Sequence, residues 1–548
     1  MRARRAGDAA LLVEAEGTAH RLAAAIGAVR LPHLVDVIPG ARTVLVVTEP
    51  GLVALDELAA RVEALPLPPA AAAAAREAEI PVVYDGPDLA EVARLTGLSP
   101  GEVIARHAAA EYTVAWMGFS PGFGYLTGID QSLAAVPRLD EPRLRVPAGS
   151  VAVAGGLAAV YPTTSPGGWR LLGRTSAVLW DPDRDPPALF TPGMRVRFRP
   201  VNEAPPTDVA PPPTPPAPHP IPATAAPHPA PAHPDPPPAK DLGDFSALYA
   251  DNPPRSFVEV VRPGVLATVQ DLGRAGLGHL GVPHSGAADA PSLRLANRLV
   301  GNPEGAAGLE LTLGRAVLRF AEETWVAVTG APVPVTVKEG DGTGRPAEHG
   351  AAVLVQAGET VQIGAPIAGL RSYVAVRGGV DVPPVLGSRS ADLRSGLGPP
   401  PLRPGDRLPV GAPQGPPPGG AAGTAPAMPA AGEAVRIRVV PGPRDDWFAA
   451  GALELLCGAD YMVTPASDRT GIRLDGPALP RARHDELPSE GLVTGALQVP
   501  PGGQPILLLA DHPTTGGYPV IAVVATADIG LAAQLRPGAR LRFAISSG

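Results

Sequence analysis

The feature that most constrains the fold of this chain is a segment at residues 201–254 in which proline and alanine predominate. Such a composition cannot bury enough apolar surface to form a core, and it favours an extended tether. At about 3.1 Å per residue, a segment of this length reaches roughly 150 Å. The chain, at 548 residues, is also too long for a single hydrophobic core. We therefore predict two halves joined by a linker, which can pair within one molecule or between two copies as a homo-oligomer.

A second stretch rich in proline, glycine and alanine lies near residues 398–432. A strand-like run, V-R-I-R-V-V at 435–440, follows this stretch. We therefore interpret the stretch as an insertion within the second half and not as a second linker.

Local patterns predict a structure that is mainly β with a few helices. Ser99, Pro100 and Glu102 form a capping box that begins one helix, and the apolar periodicity of residues 290–301 indicates another. Most other apolar runs are short, β-branched and bounded by glycine or proline, as in S-A-V-L-W at 176–180. Such runs are typical of strands in β-sandwiches and β-barrels.

Charge and composition exclude several classes of function. The formal net charge is −8 and the basic residues form no cluster, which argues against nucleic-acid binding. No segment resembles a signal peptide, and no apolar run is long enough to span a bilayer. We therefore expect a cytoplasmic protein that does not bind membranes. The single cysteine, Cys457, excludes an internal disulfide framework.

The scarcity of lysine, which occurs only at Lys240 and Lys338, limits the cofactors. A P-loop needs a Gly-Lys pair to bind phosphates, and the chain contains none. Neither lysine follows a methionine, as a biotin-accepting lysine would, so we expect no biotin on this chain. The histidines form no metal-ligand spacing with cysteine or acidic residues, and we predict no metal site.

Two stretches of the first half combine glycine with aromatic residues, namely G-F-S-P-G-F-G-Y-L at 118–126 and S-P-G-G-W-R-L-L-G-R-T at 165–175. Glycine allows tight turns and a close approach of the backbone to a ligand, and aromatic rings supply flat apolar walls. We interpret these stretches as parts of a binding surface.

Three polar turns of the second half are open to two interpretations. The sequences T-V-Q-D-L-G-R-A-G at 268–276 and G-V-P-H-S-G-A-A-D at 281–289 form either ligand-contacting loops or turns in which Ser285 or Asp289 binds backbone N–H groups. The sequence S-D-R-T-G-I-R-L-D-G at 467–476 holds either an internal ion-pair network or an arginine that clamps a carboxylate or phosphate.

The last block, residues 489–519, has the widest choice of chemical groups. Residues that could transfer protons or hold a small polar substrate are Glu490, Gln498, Asp511, His512, Thr514, Thr515 and Tyr518. No G-x-S-x-G motif is present, so a serine-hydrolase triad is not expected.

These motifs resemble two known components of one enzyme. Residues 118–175 resemble the B-type subunit of 5-oxoprolinase, which is also described as a sporulation-kinase inhibitor or allophanate hydrolase subunit 1. Residues 257–545, with L-G-S-R-S, S-D-R-T-G-I-R-L and T-T-G-G-Y-P, resemble its C-type subunit, the kinase-inhibitor antagonist or allophanate hydrolase subunit 2. The resemblance implies a natural fusion of two subunits that otherwise form a complex.

The resemblance also implies the fold, with cyclophilin-like β-barrels in both halves and a small α+β domain at the N-terminus. The boundaries that follow are an α+β domain at 1–80, a barrel at 81–200, the linker at 201–254 and a carboxyltransferase-type domain with two barrel subdomains at 255–548.

The activity implied by the resemblance is that of an ATP-dependent 5-oxoprolinase, which opens the lactam to L-glutamate with release of ADP and phosphate. The partner would be a separate A-type, lactam-utilization subunit, and ATP would be bound in the complex. Two alternatives stay open: a carboxyltransferase component related to urea carboxylase, which would need a biotin carrier on another chain, and a protein that regulates a histidine kinase.

Two departures from the family pattern weaken individual contacts: Leu157 and Ala158 replace a polar pair, and Ala391 follows Ser390. We predict that the catalytic residues are Asp468, Arg469, Glu490 and Asp511, with Arg469 or Arg473 binding an anionic group and Asp511 or Glu490 transferring protons. The substrate-binding residues predicted in the first half are Phe119, Phe123, Tyr125, Arg143, Ser165, Trp169 and Arg174. Those predicted in the second half are Gln270, Asp271, Arg274, Ser285, Asp289, Arg473, Gln498, His512, Thr514, Thr515 and Tyr518.

Overall fold

The computed structural model describes residues 1–68, 76–202, 256–340, 342–415, 428 and 433–546. The predicted linker, apart from residues 201 and 202, and much of the predicted insertion lie outside the described residues. The chain divides into two units. The first comprises Met1–Ala72, Gly118–Pro121 and Pro238–Gly548, and the second comprises Ala73–Met117 and Gly122–Pro237.

The first unit begins with a small α+β layer. Its strands and helices are β1 (Arg2–Arg5), β2 (Ala10–Glu14), α1 (Ala19–Val29), β3 (Leu34–Pro39), β4 (Thr43–Thr48) and α2 (Leu55–Glu63). The strands pair antiparallel in the order β1-β2-β4-β3. The two helices cover one face of the sheet because their apolar residues, such as Leu22 and Leu58, share a core with Val13 and Val44.

The second unit is built on one curved sheet. Its strands and helices are β5 (Glu77–Val82), α3 (Leu89–Thr96), α4 (Pro100–Ala109), β6 (Tyr112–Met117), β7 (Gly124–Thr127), β8 (Arg143–Val146), β9 (Ser150–Ala154), β10 (Leu157–Val160), β11 (Ser165–Gly167), β12 (Arg170–Arg174) and β13 (Arg195–Pro200). Seven strands follow the order β12-β9-β10-β7-β6-β13-β5, and β11 pairs with β8. The outer strands meet through two backbone bonds of 2.9 Å between Val83 and Arg174, so the sheet closes like a barrel.

Two local predictions for the second unit have different outcomes. The capping box is confirmed, because Ser99 Oγ accepts from the Glu102 N–H and the Glu102 carboxylate accepts from the Ser99 N–H. The strand predicted at 176–180 is wrong, because there the chain folds back on itself and only Trp180 forms a bridge, to Ala188. The boundary predicted at residue 80 falls inside β5, which pairs with β13.

Residues 257–409 of the first unit form a helix and two sheets around a shared core. The elements are β14 (Phe257–Arg262), β15 (Leu266–Gln270), α5 (Ala290–Leu299), β16 (Gly308–Thr312), β17 (Val317–Phe320), β18 (Thr324–Gly330), β19 (Val335–Lys338), β20 (Gly344–Ala347), β21 (Ala352–Val355), β22 (Thr360–Ile363), β23 (Arg371–Val376) and β24 (Arg407–Pro409). The sheets follow the orders β20-β19-β22-β17-β14-β24 and β15-β16-β23-β18-β21. The helix predicted at 290–301 is confirmed as α5, and Gly301 follows it at a φ of 73°.

The first unit ends in a closed seven-stranded barrel. The elements are β25 (Val435–Pro441), α6 (Ala452–Gly458), β26 (Asp460–Val463), β27 (Gly471–Asp475), β28 (Glu490–Gly491), β29 (Ala496–Gln498), β30 (Ile506–Leu508), β31 (Thr515–Gly516), β32 (Val520–Val524), α7 (Ile529–Ala533) and β33 (Arg540–Ile545). The barrel order is β25-β32-β29-β30-β27-β26-β33, and β28 pairs with β31 beside it. The predicted fold class, mainly β with barrels in both halves and a small α+β part, is confirmed. Among the described residues, no helix has the length and apolarity to cross a membrane.

Candidate active site

The centre of the candidate site is an arginine that joins two buried carboxylates. Arg469 precedes β27, and its Nε and Nη2 donate to Asp511 Oδ2 and Oδ1 at 2.8 and 3.0 Å. Its Nη1 donates to Glu310 Oε1 at 2.5 Å, and Nη2 also donates to the Gly286 carbonyl at 2.6 Å. Arg469 is 4% exposed and Asp511 is fully buried. The guanidinium therefore balances internal charge, which is the internal ion-pair network, the first of the two interpretations that the sequence left open for residues 467–476.

Glu310, on β16, is a site residue that the sequence patterns did not reveal. Its Oε2 accepts from the Tyr373 hydroxyl at 2.8 Å and from the Ala288 N–H at 3.0 Å, and Arg371 Nε lies 3.4 Å from Oε1. Burial alone would raise the pKa of Glu310, but Arg469 and Arg371 hold it below its usual value. A glutamate inside the apolar strand G-L-E-L-T was the available signal, because a buried charge requires a partner.

The loop at 284–289 both contacts the candidate site and caps a helix, which are the two interpretations that the sequence left open. Ser285 has a φ of 54°, and its hydroxyl donates to Asp511 Oδ1 at 2.7 Å, which joins the loop to the centre. Asp289 caps α5, because its Oδ1 accepts from the Ser292 N–H at 3.2 Å. Its Oδ2 accepts from Gln534 at 2.7 Å, and burial raises the pKa of Asp289. Ser285 thus faces the site, and Asp289 has a structural contact.

The turn after β15 holds the loop at 385–397 against the site. Asp271 accepts from the hydroxyls of Ser388 and Ser390 at 2.6 and 2.5 Å, and from the N–H groups of two further residues. Arg274 donates to the Val385 and Ser390 carbonyls at 3.1 and 2.5 Å. Every oxygen of the Asp271 carboxylate is therefore occupied.

Two buried polar atoms in this turn lack a partner among the described residues. Gln270 donates from Nε2 to the Ala391 carbonyl at 3.0 Å, but its Oε1 has no hydrogen bond. Arg274 is 2% exposed, and its Nη1 likewise has no acceptor. Burial lowers the pKa of Arg274, although Asp392, Asp271 and Asp511 oppose that effect. A buried unpaired donor and acceptor are what a small polar ligand could satisfy.

Asp392, in the same loop, is a second residue that sequence patterns missed. Its Oδ1 accepts from the N–H groups of Arg394 and Ser395 at 3.0 and 3.2 Å. Burial, together with the charge of Asp511, raises the pKa of Asp392 to about 6. A second carboxylate thus lies near Asp511, and Asp392 binds a proton more readily than an ordinary aspartate does.

The loop that follows Asp511 carries a neutral histidine. His512 Nδ1 lies 2.7 Å from the Pro513 carbonyl. Because a carbonyl only accepts, Nδ1 carries the proton and Nε2 is left as an acceptor. Burial lowers the pKa of His512 to about 4, so the ring stays neutral at physiological pH. His512 can therefore accept a hydrogen bond from an N–H or O–H group of a ligand.

The remaining residues of this block lie on or beside β31. Thr515 Oγ1 accepts from the Phe119 N–H at 3.3 Å, and the buried Thr514 Oγ1 has no partner among the described residues. Gln498 donates to the Tyr518 carbonyl at 3.1 Å, and Tyr518 is 45% exposed. Thr514 and Thr515 therefore belong to the site, and Gln498 supports the turn beneath it.

Two predicted residues, Glu490 and Asp468, have their side chains engaged elsewhere, and a third, Arg473, points away from the barrel core. Glu490 binds Arg444, whose Nε lies 3.1 and 2.9 Å from its two oxygens, and Arg444 also binds Glu14 at 3.2 Å. Burial raises the pKa of Glu490, and Arg444 opposes that effect. Asp468 is exposed and accepts from the Thr470 and Gly471 N–H groups in its own turn. Arg473 alternates on β27 with core residues Ile472 and Leu474, so it points away from the barrel core.

In the second unit, the predicted aromatic wall is part of the core. Phe123, Tyr125 and Trp169 are 2, 8 and 6% exposed. Their ring centroids lie 5.0 to 6.0 Å apart, at edge-to-face angles. Rings packed in this way stabilise a fold and offer little surface to a ligand, which corrects the interpretation of a binding surface.

The remaining residues predicted in the first half have separate contacts and do not form one group. Arg143 donates to Asp88 at 2.7 Å, and Arg174 forms an exposed ion pair of 2.8 Å with Asp85. Ser165 Oγ is buried and has no hydrogen-bond partner among the described residues. Phe119 belongs to the first unit, where its backbone binds Thr515 and Arg394. The prediction that all seven residues line one first-half pocket is therefore not supported by their placement.

Two family models match the chain. "Carboxyltransferase domain, subdomain C and D" matches residues 1–190, and "Carboxyltransferase domain, subdomain A and B" matches residues 280–545. The fold and these matches define a protein of the carboxyltransferase-domain class.

Two similar proteins and one similar crystal structure refine this assignment. The chain is 38% identical to the C-type subunit of 5-oxoprolinase from Escherichia coli K12 over 294 residues, which are 52% of this chain and 90% of that protein. It is 45% identical to the B-type subunit of 5-oxoprolinase from Escherichia coli O157:H7 over 179 residues, 32% of this chain and 82% of that protein. The crystal structure of TTHA0988 superposes with a TM-score of 0.80 at 36% identity, covering 98% of this chain and 99% of that one. The chain belongs to the family of the B-type and C-type 5-oxoprolinase subunits, and it joins both in one polypeptide.

Proposed function

We propose that this chain is the combined B- and C-type component of an ATP-dependent 5-oxoprolinase, which acts with a separate A-type subunit. Its membership of the family of B-type and C-type subunits supports this function. The observation that carries the proposal is the buried polar centre around Asp511, in which Gln270 Oε1 and Arg274 Nη1 lack partners among the described residues. An unpaired acceptor and donor suit the N–H and C=O groups of a small lactam.

The chemistry follows from the stability of the amide. Resonance makes the lactam carbonyl a poor target for water, so the γ-phosphoryl group of ATP is transferred to the carbonyl oxygen and ADP leaves. Water then adds to the carbonyl carbon, and the C–N bond breaks as the nitrogen takes up a proton, which leaves an acyl phosphate. A second water hydrolyses the acyl phosphate to the γ-carboxylate of L-glutamate and free phosphate. The chain has no Gly-Lys pair for a P-loop, and we propose that ATP is bound in the complex with the A-type subunit.

Within this scheme, the residues of the chain bind and orient. His512 presents Nε2 as an acceptor, because its Nδ1 is occupied by the Pro513 carbonyl. Asp511 is held by Arg469 on both oxygens and by Ser285 on one, so it orients the Ser285 hydroxyl and is not a free base. Glu490 is paired with Arg444, so each of the two carboxylates predicted to transfer protons is held in an ion pair with an arginine.

The test is ADP release that depends on 5-oxoproline, measured with the purified chain with and without an A-type subunit. We expect turnover only when both are present, and a strong decrease in the Ser285→Ala variant. Asp485→Asn, an exposed acid outside the site, is the control and should retain full activity. Folded wild-type protein that shows no turnover with any A-type partner would contradict the proposal.

A carboxyltransferase function is the second candidate, because the family models carry that name and the chain is 32% identical to urea amidolyase of Saccharomyces cerevisiae over 321 residues. Those residues are 52% of this chain but 16% of that protein. The assay that separates the two functions adds carboxylated biotin carrier and a small amide acceptor in the absence of ATP. Transfer of the carboxyl group under these conditions would favour this candidate.

A further inference from the structure

Opening of the lactam requires a proton donor. When the C–N bond breaks, the leaving nitrogen takes up a proton, because a nitrogen anion is too basic to leave without one. The carboxylates predicted to transfer protons already have arginine partners, Asp511 in Arg469 and Glu490 in Arg444. Carrying a proton would break either ion pair. A carboxyl group without an arginine partner is therefore better suited to this step.

Asp392 is a buried carboxyl group with no cation bound to it. Its side chain belongs to a residue that is 2% exposed. Its Oδ1 accepts from the Arg394 and Ser395 N–H groups at 3.0 and 3.2 Å, and its Oδ2 accepts from the Ser395 hydroxyl. Among the residues that the structure describes, no arginine, lysine or histidine side chain forms an ion pair with it. Burial without a counter-charge favours the neutral carboxyl, which carries a proton.

The loop that carries Asp392 is bonded to the polar centre through the preceding residue. The Ala391 carbonyl accepts from Gln270 Nε2 at 3.0 Å and from Ser285 Oγ at 3.3 Å. Gln270 Oε1 is the buried acceptor that has no partner among the described residues. Ser285 Oγ also lies 2.7 Å from Asp511 Oδ1. Asp392 therefore begins one peptide unit from the carbonyl at which these side chains meet.

The two oxygens of Asp392 differ in their ability to hold a proton. Oδ1 already accepts from two backbone N–H groups, which cannot accept a proton bond in return. Oδ2 is bonded to the Ser395 hydroxyl, and a hydroxyl can donate to an ionised carboxylate or accept from a protonated one. The contact with Ser395 can therefore persist in both states, and Oδ2 is the oxygen that gains and loses the proton.

The charges around Asp392 agree with this assignment. Burial and the charge of Asp511, in the segment after β30, raise the pKa of Asp392 to about 6. Arg274, in the turn after β15, and the bonds from Ser395 oppose that effect. A general acid is most effective when its pKa lies near the working pH. Asp392 thus holds its proton more firmly than an ordinary aspartate and can still release it during a turnover.

We propose that Asp392 is the acid that delivers a proton to the leaving nitrogen of the lactam, whose N–H group is bound at Gln270 Oε1. As the C–N bond breaks, its electron pair stays on the nitrogen, the Oδ2–H bond breaks and the nitrogen receives the proton. Asp392 is left as a carboxylate and recovers a proton from solvent, which has taken up the proton lost by the attacking water. This inference rests on the proposed lactam hydrolysis and adds the identity of its acid.

The test uses the full chain with its A-type partner and measures ADP and glutamate separately in a single turnover. Asp392→Asn keeps a side-chain oxygen for the two N–H groups but carries no acidic proton. Phosphoryl transfer precedes C–N cleavage, so this variant should release the first equivalent of ADP at nearly the wild-type rate. It should form glutamate about a hundredfold or more slowly, as loss of a general acid does. The matched control is Asp485→Asn, an exposed acid, which should form both products at the wild-type rate.

The pH profile separates an acid from a residue that only supports the loop. In wild type, kcat/KM for glutamate formation should fall as the pH rises above about 6, because only the protonated carboxyl can act. Ser395→Ala removes a hydrogen bond that lowers the pKa of Asp392, so this decline should move to higher pH. Asp392→Asn should lose the decline. Unfolding midpoints of all variants are measured, so that an unfolded variant is not scored as a catalytic defect.

The outcomes separate this inference from the proposed function. If wild type forms glutamate and folded Asp392→Asn does so within about twofold, or loses ADP release and glutamate formation equally, the inference is wrong and the function stands. If wild type shows no turnover, the proposed function fails, and infrared spectra of wild type and Asp392→Asn are compared from pH 4 to 8. A protonated carboxyl band that is absent from the variant and disappears near pH 6 supports Asp392 as a proton carrier. Identical spectra above pH 5 overturn it.

Discussion

At the scale of single residues, the site depends on charges that are buried together. Arg469, Asp511 and Glu310 are 4, 0 and 2% exposed, and the ion pairs among them offset the cost of burying their charges. Asp468 precedes Arg469 in the sequence and yet is exposed in a turn. Adjacent polar residues thus have unrelated roles, and burial decides which of them belongs to the candidate site.

Removing the central guanidinium should therefore destabilise the first unit strongly. We expect Arg469→Met to lower the free energy of unfolding by about 3–5 kcal/mol, because it removes the buried cation that Asp511 and Glu310 share. The measurement is urea unfolding of the whole chain at pH 7. Arg542→Met removes an exposed partner of Asp460 and should cost less than about 1 kcal/mol. Equal, small losses in both variants would show that Arg469 is not the compensating charge.

At the scale of elements, loops between strands carry most of the site. The γ-turn centred on Phe119, the loop at 385–397 and the segment after β30 come from distant parts of the sequence. The turn is closed by a bond from the Ser120 N–H to the Gly118 carbonyl, and the side chains of Thr515 and Arg394 bind the Phe119 backbone. The strands contribute rigid ends from which these loops start. This arrangement is common, because loops tolerate the irregular backbone that binding requires.

The γ-turn should be sensitive to a single methyl group. Gly118→Ala places a Cβ 2.0 Å from Thr515 Oγ1, and we expect a loss of about 1–3 kcal/mol in the free energy of unfolding, as overpacking costs. Gly101→Ala, within α4, meets no atom within 4 Å and should be neutral or stabilising by about 0.5–1 kcal/mol. Thermal and urea unfolding of the two variants make the comparison. A Gly118→Ala variant as stable as wild type would mean that Thr515 moves away at no cost.

At the scale of the whole molecule, buried histidines make stability depend on pH. His107 is fully buried against Tyr84, Tyr112 and Phe198, and burial lowers its pKa from 6.5 to about 3. The unfolded chain binds a proton below pH 6.5, whereas the folded chain does so only near pH 3. The contribution of His107 is therefore complete above pH 6.5 and is lost as the pH falls from 6.5 towards 3.

A variant that does not titrate isolates this contribution. In His107→Gln, the amide can still bond the Tyr84 hydroxyl, which lies 2.8 Å from His107 Nδ1. We expect the difference in the free energy of unfolding between wild type and variant to change below pH 6.5 by up to about 1.4 kcal/mol per pH unit. Urea unfolding at several pH values from 4 to 7.5 measures it. A constant difference over this range would show that His107 is protonated in the folded chain.

The local patterns in the sequence were sufficient for much of the fold. The capping box at Ser99, the helix after Asp289 and the strand at 435–440 depend on neighbours within a few residues, and each has the predicted conformation. The run at 176–180 has the composition of a strand, but among the described residues it pairs only through the bridge from Trp180 to Ala188. Pairing is a property of the sheet, and composition alone does not report it.

The candidate site was only partly predictable for the same reason. Polar residues in glycine-rich turns, such as Ser285, Asp511 and Thr515, were found from their sequence context. Glu310 and Arg371 lie inside apolar strands, so they had the local signature of core positions. Asp392 and Arg394 lie in a loop whose neighbours contain similar residues, and no spacing distinguishes them.

The sequence by itself determined the class of fold, the helix ends, the turns and the family, because these depend on local hydrogen bonding, alternation of apolar residues and ordered motifs. Only the tertiary structure decided which charged residues meet. Arg469 and Glu310 are 159 residues apart in the chain, and Phe119 and Thr515 are 396 apart. Burial fixes the partners and proton affinities of such groups, and burial is a property of the packed whole.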